Sequence, residues 1–227
     1  MRVLVPVLAA AISAAPLASQ RVEPILYFGV RLPVGGELVV PVPIPAVTGF
    51  RSIPRTFSEA HGTVVGVSAR VQLLGALGLK TGVAVTMAER ISDAPGFTVC
   101  RKCATTLVSG LLGLAVRHPV TARLRVEAAV GAELIHLGGE VYAEPLDVLA
   151  VADIVPTRRF VGGTNASLGS VLSLRRAGAI RFDAQWRRYH ITSRWTDQTY
   201  GAIAGTIESS PYTDLLLTIG WSPPAPE

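Results

Sequence analysis

Residues 123–134, Arg-Leu-Arg-Val-Glu-Ala-Ala-Val-Gly-Ala-Glu-Leu, decide the fold. Leu124, Val126, Ala128, Val130, Ala132 and Leu134 alternate with Arg123, Arg125, Glu127, Gly131 and Glu133. Successive side chains of a strand point to opposite faces, so an extended chain here is apolar on one side and charged or bare on the other. A helix would spread the same residues around its whole circumference.

Outward from this stretch the period recurs over 26–32, 65–73, 79–87, 108–117, 165–174, 180–187 and 214–221. The joints alternate in length. Gly75-Ala76, His118-Pro119-Val120 and Arg175-Arg176-Ala177-Gly178 have the composition of tight turns, whereas 35–60, 90–103, 139–160 and 194–210 are long. An even set of alternating strands, with short turns at one end and long connections at the other, predicts an all-β, eight-stranded antiparallel up-and-down transmembrane β-barrel. Val67, Leu112, Val126 and Leu217 are then expected to point outward, and both termini to lie at the short-turn end.

Composition fits. The chain has 227 residues, the size of one all-β domain. Its mean hydropathy is +0.43, high for a soluble domain, yet beyond the N-terminus no apolar run approaches the ~18 residues of a membrane helix. The rival architecture is a soluble lipocalin-like barrel, with the apolar stripe turned inward. The formal charge of +5 comes from basic residues scattered singly through apolar strands, which argues against a nucleic-acid partner.

At the N-terminus, Arg2 precedes an apolar run over 3–15, and Pro16-Leu17-Ala18-Ser19 places small residues before Gln20. This reads as a signal peptide over 1–19, a barrel domain over 20–222 and a short tail over 223–227. An N-terminal anchor helix is the alternative; Pro6 and Pro16 interrupt it. No cysteine follows the expected cut, which argues against a lipoprotein anchor.

Aromatic residues stand near segment ends: Tyr27, Phe28, Trp186, Tyr189, Trp195, Tyr212 and Trp221. They are expected as interfacial girdles, and the final strand closes on an aromatic. On these features nearly the whole mature chain resembles the small outer-membrane barrels of the OmpA/OmpX type. The resemblance implies a monomer in the bacterial outer membrane, with membrane lipid as its surroundings. The tail after Trp221 departs from the usual terminal aromatic.

Eight strands enclose a bore that side chains can just fill. Arg31, Arg70, Lys80, Arg117, Arg123, Arg125, Arg181 and Arg187 against Glu127, Glu133 and Asp183 are expected there as a paired ion network that plugs it, because unpaired buried charge is costly. A narrow anion-preferring path is the alternative. A general diffusion porin would need about 16 to 18 strands.

Cys100 and Cys103, in the second long connection of an exported chain, are expected to form a disulfide. A redox site lacks its βαβ setting, and His61, His118, His136 and His190 are too dispersed for a metal site, so neither metal nor cofactor is expected. For catalysis, Arg188-Tyr189-His190-Ile191-Thr192-Ser193 is faintly similar to the His-x-Ser motif of outer-membrane lipid A deacylases. Alternation puts His190 and Thr192 on one face, with Thr192 where the nucleophilic serine would stand and Ser193 on the opposite face. Glu208 is an available carboxylate that the sequence does not place. Residues 37–45, alternating Val and Pro, read as a stiff extended segment with poor ladder donors. The expected function is a non-enzymatic barrel whose long outer loops meet an envelope or extracellular partner; a lipid A-modifying enzyme is the second class.

Overall fold

In a computed structural model the described residues are 22–36, 38–46, 49–59, 61–92, 98–100, 104–138, 141–145, 152–156, 158–174, 177–197, 204–208 and 211–224. Eight long strands form the wall: β1 (Val22–Gly35), β4 (Gly62–Leu74), β5 (Leu77–Ser92), β7 (Ala104–Pro119), β8 (Leu124–Gly138), β11 (Phe160–Ser173), β12 (Ala179–Tyr189) and β15 (Tyr212–Ser222). Each pairs antiparallel with the next. The pairing of β5 with β7 and of β1 with β15 closes the ring. This is the closed eight-stranded up-and-down barrel that the alternation calls for.

Closure turns the period of two into an inside and an outside. Val67, Leu112 and Leu217 are exposed at 55%, 58% and 41%, and Val126 is half-buried on the same outer face. Outward positions of β1 run from Val22 to Val34, roughly 40 Å of strand, or about 30 Å of height at the usual tilt. That suffices to cross the hydrocarbon layer. The buried residues fill the bore itself, so the core is the barrel lumen.

At the short-turn end, Gly75 adopts a left-handed φ of 54° in the two-residue β4–β5 turn, where a Cβ would be strained. Trp221 donates its indole N–H to the Ala177 carbonyl of the β11–β12 turn at 2.9 Å. The long connections hold further strands that the sequence period does not reveal: β2 (Leu38–Ala46), β3 (Gly49–Glu59), β6 (Thr98–Cys100), β9 (Val141–Pro145), β10 (Ala152–Pro156), β13 (Thr192–Asp197) and β14 (Ala204–Glu208). β2 and β3 form a hairpin that continues the edge of β5, and the other five make a separate sheet in the order β14-β13-β10-β9-β6.

β2 is a strand despite its prolines, and register explains why. Pro41 lies opposite Pro54, which is possible only at a non-hydrogen-bonded pair. Val40, Val42 and Ile44 therefore donate to β3, while Pro41, Pro43 and Pro45 lack N–H groups only toward the other edge. The expected signal peptide over 1–19 and the Cys100–Cys103 bridge lie outside the described residues.

Candidate functional site

Inward positions bring the charged side chains into two clusters. Near the short turns Glu127, on β8, is 2% exposed. Its carboxylate accepts from Arg117 Nε on β7 at 2.9 Å, with Arg117 Nη2 in ion-pair contact at 2.8 Å, faces Arg70 Nε on β4 at 3.2 Å and accepts a short bond from Arg181 on β12. Arg117 also grips Glu23 of β1 through both carboxylate oxygens, at 2.6 and 2.9 Å. Arg70 donates to the Ala76 carbonyl at 2.9 Å, and Arg181 lies 3.5 Å from Asp183. Lys80 is buried with Ser167 Oγ at 3.5 Å. Arg125, half-buried, donates to Ser173 at 2.8 Å.

Glycine makes room for this chemistry. A Cβ on Gly169 would collide with the Asp183 carboxylate, and one on Gly78 would come within 2.8 Å of the Arg70 guanidinium. Bare backbone opposite a large ionic group keeps a narrow bore at packing density.

Toward the long-connection end Asp214, fully buried on β15, accepts from Arg31 at 2.7 Å and from Arg187 at 2.7 and 3.0 Å. Arg31 also donates to Tyr189 Oη at 3.2 Å. The Arg187 guanidinium lies 5.4 Å from the Tyr189 ring centroid, and Tyr189 stacks on Tyr212 with centroids 5.5 Å apart. Glu133 accepts from Gln185 at 3.3 Å. Beyond these, Leu107, Ile135, Leu137 and Ile191 pack with the two tyrosines into a dry apolar layer.

Several expectations need correction. Arg123 is exposed in the turn before β8, outside the bore, because the strand begins only at Leu124. Glu133 lies in the bore as expected; it accepts from Gln185, and the Arg187 charge acts on it from beyond ion-pair distance. Tyr27, Tyr189 and Tyr212 are not girdle residues: they share the parity of Arg31, Arg187 and Asp214 and point inward, where the Tyr189 hydroxyl finds a charged donor. Phe28, Trp186 and Trp221 do face outward; the Trp195 side chain lies outside the described ones. Asp214 and Glu23, absent from the expected network, hold central places in it. For Asp214 the signal was available, since it shares the parity of Thr218 and Gly220.

The catalytic candidates fall at the outer rim. His190 is exposed and Thr192 half-buried, while Ile191 between them is buried in the apolar layer. Register sets Thr192 directly opposite Glu208, a juxtaposition no local pattern conveys.

A closed wall of eight antiparallel strands with a charged lumen and an apolar exterior defines the small outer-membrane type of transmembrane barrel. The structure is similar to the crystal structure of the outer membrane protein OprG from Pseudomonas aeruginosa, with a TM-score of 0.55 and 9% identity over 88% of this chain and 95% of that one. It is also similar to the solid-state NMR structure of outer membrane protein AlkL in lipid bilayers, with a TM-score of 0.50 and 14% identity over 90% and 92% of the two chains. The sequence matches no protein-family model and no curated protein.

Proposed function

We propose that this chain is a bacterial outer-membrane protein, exported after loss of residues 1–19, whose bore is sealed and whose working surface is the outer rim. The observation that carries the reading is the convergence of Arg70, Arg117 and Arg181 on Glu127, across strands from both halves of the chain. Such a cluster occupies the lumen of an eight-stranded barrel, which has no width to spare beside it. With the axis closed, interaction falls to the long connections, which carry strands of their own. A partner in the envelope or outside the cell, a monomeric barrel and a Cys100–Cys103 disulfide belong to this reading.

Single-channel recording of the reconstituted protein in planar bilayers tests it. The expected trace has no conductance steps in potassium chloride, and a stable open level would overturn the sealed bore. A second reading, lipid A modification, draws support from the register of Thr192 opposite Glu208. Mass spectrometry of lipid A from cells with and without the protein decides it: a His190-dependent loss of an acyl chain is its required outcome.

A further inference from the structure

Arg188 stands apart on the outer wall. Among the described side chains that face outward from the eight barrel strands, it alone carries a fixed charge. It is exposed, and among the described residues no carboxylate lies within ion-pair distance of it. On the lipid face an arginine costs about 2–4 kcal/mol at mid-bilayer and close to nothing at the interface. Its position agrees with the interface. Trp186, the preceding outward residue, is half-exposed as an interfacial anchor, and the register sets Arg188 between Thr164 of β11 and Thr213 of β15. The next outward residue, His190, is exposed as well.

Below Trp186 the wall is hollowed. A trough of about 620 Å³ is lined by the outward side chains Val126, Leu168, Phe182 and Leu217 and the smaller Ser170 and Ala184, with the inward-facing positions Gly169, Asp183 and Thr218 contributing to its wall. Arg188 and Ala184 are four residues apart on β12, roughly 13 Å along the strand, within the reach of an extended acyl chain. A cation at headgroup height above an apolar trough matches a phosphorylated lipid in charge and in shape. The cation lies at the end opposite the short turns, so it faces the outer leaflet.

We infer that Arg188 binds a phosphate of lipid A, flanked by Thr164, Thr213 and His190, with one acyl chain passing Trp186 into the trough at Ala184. The inference rests on the outer-membrane reading. To test it, wild type, R188Q and A184W are reconstituted into phosphatidylcholine nanodiscs doped with lipid A, re-extracted in mild detergent and assayed for retained lipid A by mass spectrometry. Heat-modifiable electrophoresis monitors folding of each. Wild type is expected to retain lipid A, with retention about fivefold lower in R188Q, similarly reduced in A184W, and reduced for dephosphorylated lipid A on wild type. Equal retention by folded wild type and R188Q would overturn the site, as would equal retention of phosphatidylglycerol and lipid A by wild type. A wild-type chain that never becomes heat-modifiable would instead defeat the outer-membrane reading itself.

Discussion

Near the short turns, Glu127 pairs with three arginines, and two of these have a second carboxylate at hand: Glu23 for Arg117 and Asp183 for Arg181. Toward the outer end Asp214 serves Arg31 and Arg187 together, and for Arg187 no other carboxylate lies within ion-pair distance among the described residues. The first cluster is a mesh and the second a hub. Breaking a buried ion pair costs far more than the pair contributes, because the surviving charge is stranded. A mesh redistributes that burden; a hub does not.

The contrast is broken or sharpened by four substitutions, read as changes in the urea midpoint of the folded barrel in lipid vesicles. D214N should be the most damaging, at about 5 kcal/mol, the upper end for stranding a buried charge. E127Q should cost about 3 kcal/mol, since Glu23 and Asp183 remain for two of its donors. Equal losses for the two would erase the distinction between mesh and hub. Next comes G169A, expected to destabilise by about 1–3 kcal/mol by displacing the Asp183 carboxylate from its place against β11. The smallest effect is expected for Lys80, which bonds the Ser167 hydroxyl while Asp183 and Glu127 act on it from beyond ion-pair distance among the described residues: K80M should be neutral or mildly stabilising. A loss comparable to that of E127Q would show Lys80 to be a true member of the mesh.

How much of this was legible follows from the range of each signal. The faces of β8 are written in twelve consecutive residues, and the same local alternation assigned Arg31, Arg70, Arg181 and Arg187 to the interior, where they are buried. Parity also holds the answer for Asp214 and for the inward tyrosines, but aromatic character near strand ends is a competing signal that points them to the interface. Glu23 was lost because alternation is hard to see at the first residues of a strand. Thr192 opposite Glu208, and Arg188 between Thr164 and Thr213, depend on register between strands. Register is a property of pairs and leaves no trace in either strand alone. The pairing of β2 is hidden for a related reason: prolines at every second position read as poor ladder donors until one knows which edge they face.

That edge also governs what the rim can join. A free strand edge normally invites another strand, from a second copy or from a peptide, to continue the ladder. On the side of β2 away from β3, which β14 approaches without pairing, a strand would find the carbonyls of 41, 43 and 45 without the matching N–H groups. The hairpin is therefore self-terminating. Whatever meets this hairpin has to recognise it by its side chains and turns rather than by adding to its sheet.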